Sequence, residues 1–306
     1  MEQDEREELG LLREEVKRLR GELALCTPTL DALLKRRGFE IYKKGPSGDL
    51  LAPSEAFYLD DWYEQMKRYS FRLYLRDVIK QQERFTAESL TRYATADVTA
   101  DYTRYLARVG VAEKADSAYR LKKDARSGAP RGGRIKSFGE TLEWFAAETL
   151  VREFQAQAIW GVKLKIKRRP KQALPSAGGD YDVVAKIDGG ILYMEVKSSP
   201  PKQIYPNEIR AFLKRTVELA PEIAVFFMDT ELRMKDKIVP MFEEALPNFA
   251  PLHPIFEGAA LPVRLHKELF RIGGRMFIIN AKGSVAMNIE RVLGHYFATA
   301  GAKKDI

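Results

Sequence analysis

Gly178-Gly179-Asp180-Tyr181-Asp182-Val183-Val184-Ala185-Lys186-Ile187-Asp188-Gly189-Gly190-Ile191-Leu192-Tyr193-Met194-Glu195-Val196-Lys197-Ser198-Ser199 is the stretch that decides the fold. Asp188-Gly189 reads as a two-residue hairpin turn, because both residue types tolerate the positive φ that such a turn needs. Ile187 then pairs with Gly190, and counting back along both strands sets Asp182 opposite Glu195. One face of the hairpin holds Val183, Ala185, Ile187, Leu192, Met194 and Val196, all apolar. The other holds Asp182, Val184, Lys186, Ile191, Tyr193, Glu195 and Lys197. Moving the turn to Gly189-Gly190 slides the pairing by two and keeps the same faces.

Two carboxylates set opposite one another in a sheet repel, and a divalent cation between them removes the conflict. Carboxylates with few other ligands suit Mg2+, which keeps several waters and contacts substrate phosphate; Mn2+ is a plausible substitute. Lys197 follows Glu195 by two residues, so its ammonium reaches the same pocket. Such a set can bind metal, orient water and neutralise a pentavalent phosphate. The bland alternative is a surface hairpin with a Glu-Lys pair. The opposed acids, the apolar second face and the preceding Gly178-Gly179 favour the nuclease reading.

This pattern resembles the PD-(D/E)xK nuclease superfamily, the restriction-endonuclease-like fold that includes archaeal Holliday-junction resolvases and Mrr-type enzymes. Asp182 matches the second-motif aspartate, and Glu195-Val196-Lys197 matches the E-x-K motif. Upstream, Gly139-Glu140-Thr141-Leu142-Glu143 resembles the first motif, a helix with a glutamate after an apolar residue. The resemblance implies Glu143 as a third metal ligand, with Glu140 and Glu148 as substitutes, and a phosphodiester hydrolysed by metal-activated water. Lys197 would position that water. It covers roughly residues 137–229, and Tyr181 stands where the family often has proline.

Working outward, the C-terminal region alternates strands and helices. Helix is expected at 138–155, strands at 158–167, 181–187 and 190–198, and helix at 206–219. Strand 223–229, helix 232–246, strand 271–280 and helix 285–298 follow, an α/β domain with a central mixed sheet flanked by helices. Two basic runs lie near the candidate site. Residues 163–171 carry six basic residues and no acid, among them Lys163, Lys165, Lys167, Arg168 and Arg169. Residues 120–136 carry seven against Asp124, among them Arg131 and Arg134. Close to a phosphodiesterase site, such runs point to phosphate contact. Asp180, Lys202 and Gln203 are weaker candidates whose commoner roles are turn and helix cap.

Upstream, helices at 71–81, 86–93 and 98–109 precede a short hairpin (111–115 and 118–122), which resembles a winged helix-turn-helix module over about 70–123. Its third helix would bury Val98, Leu106 and Val109 and show Thr99, Thr103, Arg104 and Arg108 to a groove. Asp97 and Asp101 would repel phosphates there. Residues 48–59, after Gly38-Phe39-Glu40-Ile41, are similar to the N-terminal domain of archaeal tRNA-splicing endonucleases, a hint toward RNA. The first residues read as a helix with Leu9, Leu12, Val16, Leu19, Leu23 and Cys26 spaced 3, 4, 3, 4, 3, the seam of a coiled coil. The same spacing serves an amphipathic helix packed on its own domain, and the sequence leaves both open.

The expected organisation is an N-terminal helix (1–27), a helical region (28–126), a basic linker (127–136) and a nuclease domain (137–306). A net charge of +8 over 306 residues is compatible with a polyanionic partner. DNA is expected over RNA, bound by a homodimer. No apolar run approaches a membrane span. One cysteine excludes a disulfide framework and fits a reducing cytoplasm, and three scattered histidines make a histidine-held zinc unexpected.

Overall fold

Asp188 and Gly189 turn the chain as their residue types demand, with φ of 47° and 84°, the geometry that matches the twist of two antiparallel strands. The computed structural model describes residues 2–92, 94–122, 134–166, 180–252 and 261–301. Arg131, Lys167, Arg168 and Arg169 lie outside the described residues. In chain order the elements are α1 (Glu2–Cys26), α2 (Leu30–Arg36), β1 (Phe39–Lys43), α3 (Leu59–Met66), α4 (Tyr69–Lys80), α5 (Ala96–Arg108), β2 (Ala112–Ala115) and β3 (Ala118–Leu121). Then come α6 (Gly139–Phe154), β4 (Gln157–Ile166), β5 (Tyr181–Ile187), β6 (Gly190–Lys197), α7 (Pro206–Leu219) and β7 (Ile223–Met228). The chain ends with α8 (Ile238–Ala245), β8 (Val263–His266), β9 (Leu269–Ile272), β10 (Met276–Asn280) and α9 (Val285–Gly301).

Two units divide the chain. One joins Met1–Lys44 to Ala146–Ile306 and the other is Gly45–Phe145, so the boundary falls within α6. This corrects the expected division. Phe39–Lys43 pairs antiparallel with β4 and joins the large sheet rather than the helical region.

That sheet has eight strands in the order β1-β4-β5-β6-β7-β10-β9-β8. It is mixed: β6 with β7 and β7 with β10 run parallel, and the other neighbours run antiparallel. Val183 pairs with Met194 and Ile187 with Gly190, the register counted from the turn, so Asp182 and Glu195 take the next facing positions. Both faces of the hairpin are covered. Val184, Ile191 and Tyr193, on the face that carries the acids, are as fully buried as Val183, Leu192 and Met194 on the other. The first set packs into a cluster with Ile209, Phe212 and Leu213 of α7 and Phe242 of α8, where Phe212 lies 5.6 Å from Tyr193 and 5.4 Å from Phe226, centroid to centroid. Each such side chain contributes roughly 1.5–3 kcal/mol of burial. The opposite face meets α9, with Phe277 6.0 Å from His295. Interior strands with a parallel neighbour take helices on both sides, which is why the face bearing the acids is not simply a solvent face.

Helix α7 starts at the expected residue. Pro206 has the φ of a first helical position, and the Glu208 carboxylate reaches back to accept from the Tyr205 amide at 2.9 Å. It stops at Ala220, whose φ of 46° is left-handed. Elsewhere expectation and structure part. The helix expected from residue 232 begins at Ile238, because side chains take the upstream backbone instead: Asn280 donates to the Leu232 carbonyl at 3.1 Å and Glu268 accepts from the Met234 amide at 2.7 Å. The strand expected at 271–280 is two antiparallel strands, β9 and β10, reversed at Gly273 with φ of 62°.

Within the Gly45–Phe145 unit, α3, α4 and α5 bury Trp62, Phe71, Tyr74, Tyr102 and Leu106, with Trp62 and Phe71 edge to face at 5.4 Å. β2 and β3 form the expected hairpin. The helix expected at 86–93 is only a single 3-10 turn, Glu88–Leu90. There Thr86 and Ser89 exchange amide-to-hydroxyl hydrogen bonds, at 3.1 and 3.3 Å, and so compete with helix propagation. No helix among the described residues is long and apolar enough to cross a membrane.

Candidate active site

Tyr193, Glu195 and Lys197 alternate along β6 and point toward α7. Glu195 is buried, with 1% of its surface exposed, and a carboxylate so placed must be paired. Its Oε1 accepts from Lys197 Nζ at 2.8 Å, Arg215 Nη1 spans both oxygens at 3.0 and 2.9 Å, and Tyr193 Oη donates to Oε2. Lys197 Nζ also lies 3.8 Å from Glu208. Arg215 comes from α7, one turn beyond Phe212. On that helix Glu208, Phe212, Arg215 and Leu219 recur at spacings of 4, 3 and 4, so the helix presents the two charges and the two apolar anchors on one stripe.

Asp182 sits on the neighbouring strand. Its Oδ2 accepts from the Val196 amide at 2.7 Å, which holds the carboxylate against β6. Burial and then the Glu195 charge push its pKa up to about 7, although Lys197, the Val196 amide and Arg215 pull the other way. The same field acts on the neighbours. Burial lowers Lys197, but the charges of Glu195 and Asp182 hold it above its ordinary value. Burial and the two carboxylates hold Tyr193 well above the ordinary tyrosine range. The raised Asp182 carboxyl and the cations beside it make this cluster a candidate functional site.

Carboxylate oxygens are the hard donors that Mg2+ takes, one or two from the protein with water and substrate phosphate completing the shell. Asp182 and Glu195 supply two hard oxygen donors. Among the described residues no group of three or more His, Cys, Asp or Glu side chains is gathered as a metal site. Arg215 occupies both oxygens of Glu195, so a cation there would have to share that carboxylate with the guanidinium.

The remaining candidates are scattered. Glu143 is part-buried on the segment of α6 that belongs to the Gly45–Phe145 unit. Glu140 has a structural post, accepting from the amides of Ser47, Gly48 and Asp49 at 3.0, 3.3 and 3.0 Å, and Glu148 pairs with Arg152 at 2.6 Å. Lys163 pairs with Asp180 at 3.1 Å, and Lys165 lies opposite Glu40 in the β1–β4 ladder. Arg134 donates to the Lys80 carbonyl at 3.2 Å. Arg104 and Arg108 are exposed and paired with Asp101 and Asp61.

Thr99 and Thr103 correct an expectation: they are 0% and 2% exposed and face no groove. Each hydroxyl bonds a carbonyl four residues back, and Thr103 also bonds the Tyr74 hydroxyl at 2.8 Å. A threonine so satisfied packs as an apolar residue does. Leu106 and Val109 are buried as expected, whereas Val98, expected inside, is 36% exposed.

Sequence reasoning missed Arg215 and the part played by Tyr193. A signal for Arg215 was present, a charge between Phe212 and Leu219 on one stripe of a helix. Arg215→Met keeps an unbranched apolar stem and removes the charge. It is expected to cost about 3 kcal/mol in urea unfolding, the scale of breaking a buried pair. A change within about 0.5 kcal/mol, the scatter of ordinary surface substitutions, would show that Glu195 does not depend on it.

No family model matches the sequence, and no curated protein matches it. Among solved structures the chain is similar to protein VC1899 from Vibrio cholerae, at 10% identity and a TM-score of 0.45 over 88% of this chain and 62% of that one. It is also similar to Can2 from Sulfobacillus thermosulfidooxidans, solved in complex with cyclic tetra-adenylate, at 13% identity and a TM-score of 0.38 over 65% of this chain and 51% of that one. The chain thus spans less than two thirds of either protein's length.

Proposed function

We propose that this protein is a Mg2+-dependent phosphodiesterase, a nuclease of the PD-(D/E)xK kind. The observation that carries the reading is the pair Asp182 and Glu195 at facing positions of one hairpin, with the Asp182 carboxyl pushed up by burial and then by its neighbour's charge and the Lys197 ammonium on Glu195. A bound metal would polarise the phosphate and lower the pKa of a water, making hydroxide available as the nucleophile. Asp182 and Glu195 would hold the ion. Lys197 orients the water and offsets charge that develops on the phosphate. Arg215 and Tyr193 hold the Glu195 carboxylate in place by hydrogen bonds.

DNA is the preferred substrate in this reading, on the strength of the family resemblance. Lys163, Lys165, Lys167, Arg168, Arg169, Arg131, Arg134, Arg104 and Arg108 are proposed phosphate contacts. One observation favours a second reading: Glu195 already has Arg215, Lys197 and Tyr193 as partners, as a purely structural ion cluster would. A cleavage assay over linear, branched and single-stranded DNA and matched RNAs, with Mg2+ or EDTA, separates the two. Cutting that requires Mg2+ is expected, faster on DNA. Binding without cutting of any substrate would favour the structural cluster.

A further inference from the structure

The N-terminal helix offers a second feature, independent of the proposed chemistry. α1 is docked on its own unit through polar contacts along its length. Arg13 makes two hydrogen bonds to Glu290 of α9, at 3.0 and 2.9 Å, and Arg20 pairs with Asp188 of the β5–β6 turn at 3.0 Å. At the C-terminal end, Lys186 Nζ donates to the carbonyls of Ala24 and Thr27 at 3.3 and 3.4 Å. The apolar seam of the helix is only half covered: Leu9, Leu12, Val16, Leu19 and Leu23 are each between 41% and 56% exposed. Leu9, Leu12 and Val16 also border a groove of about 740 Å³ whose far wall includes Met287, Leu293 and Phe297 of α9. Apolar surface of this extent marks an interaction site.

We infer that the occupant is α1 of a second copy of this chain, packed parallel and in register. The charges beside the seam decide the partner and its direction. With Leu9, Val16 and Leu23 at heptad position a, the g positions are Glu8, Glu15 and Glu22, and the e positions are Arg13 and Arg20. In a parallel pair, g of one helix meets e of the next heptad of the other. Glu8 then faces the partner's Arg13, whereas Arg20, 16% exposed, stays with Asp188 of its own chain. In an antiparallel pair, g meets g and e meets e, acid on acid and base on base. Arg13 can serve both contacts, since its Nη1 donates to nothing among the described residues and a guanidinium has five donors.

The chain carries its own reporter of this geometry. Cys26 is the sole cysteine; it is exposed and occupies the last d position of the seam. In a parallel, in-register pair the two Cys26 side chains face each other, within reach of a disulfide. In an antiparallel pair of the same seam they lie about 25 Å apart, 17 residues at the rise of a helix. Light scattering of the full chain at micromolar concentration is expected to give twice 34.9 kDa, and copper phenanthroline to convert it to a disulfide-linked dimer on a non-reducing gel. Leu19→Glu, at a half-exposed position that a monomer tolerates, is expected to give the monomer mass with unchanged circular dichroism. A monomeric wild type, a dimer that Cys26 does not cross-link, or a Leu19→Glu variant that remains dimeric would each overturn the proposal.

Discussion

Lys197→Ala is expected to lower Mg2+-dependent cleavage by at least about 100-fold, the cost of removing one charge-stabilising donor from an active site. Its folding and nucleic-acid binding should stay near wild type. The ammonium of Lys197 lies 2.8 Å from Glu195 and 3.8 Å from Glu208, and its side chain keeps 20% of its surface exposed, so it alone of the two cations on Glu195 opens toward a substrate. Arg215, at 14%, is the more enclosed. Removing Lys197 leaves Glu195 with two hydrogen bonds from Arg215 and one from Tyr193, so the carboxylate is not stranded. The two substitutions should therefore separate the roles: Arg215→Met acts first on stability, Lys197→Ala first on turnover. Single-turnover rates on the preferred substrate, with unfolding curves of both variants, measure this. Normal cutting by Lys197→Ala would remove it from the active site. A loss of stability equal to that of Arg215→Met would make it part of a structural cluster.

Asp182→Asn is expected to raise the melting temperature in EDTA, by an amount that depends on pH. The Asp182 carboxyl is held up to about 7 in the folded protein, against about 3.9 in an unfolded chain. Below pH 4 both states are protonated and the group costs nothing. As pH rises from about 4 to about 7 the unfolded chain ionises first, so wild-type stability falls, and the full penalty is present above pH 7. At about 1.4 kcal/mol per pKa unit its upper bound is about 4 kcal/mol, and cross-strand repulsion alone gives roughly 0.2–1 kcal/mol. The asparagine does not titrate and can still accept from the Val196 amide through its carbonyl oxygen. Its advantage over wild type should therefore grow between pH 4 and 7 and then level off. Saturating Mg2+ should raise the wild-type melting point, because the ion binds the folded state, and should leave Asp182→Asn almost unmoved. Calorimetry of both proteins at pH 5 and 8, with and without metal, carries the test. Equal Mg2+ shifts in the two would mean Asp182 is no ligand. Destabilisation of the variant at pH 8 in EDTA would mean that the ionised carboxylate itself holds the hairpin together.

The sequence by itself determined what depends on neighbours along the chain. Asp188 and Gly189 could turn only one way, and a two-residue loop sets the pairing of every residue behind it, so Asp182 and Glu195 met as counted. Pro206 and Glu208 marked the start of α7 for the same reason, since first-turn chemistry is local. The seam of α1 was visible as a period of the sequence, although what covers it was not. Tertiary structure alone decided what depends on distant partners. Nothing within Phe39–Lys43 says that it adds an edge strand to β4, more than a hundred residues away in the chain. Thr99 and Thr103 read as polar until their hydroxyls are returned to the helix backbone and Tyr74 lies beside them. Glu195 and Lys197 were legible as a motif, but the Arg215 guanidinium that neutralises Glu195 comes from a helix packed across the sheet. Pairing a buried carboxylate is a demand of low local dielectric, and which cation answers it is set by helix-on-sheet packing rather than by any spacing along the chain.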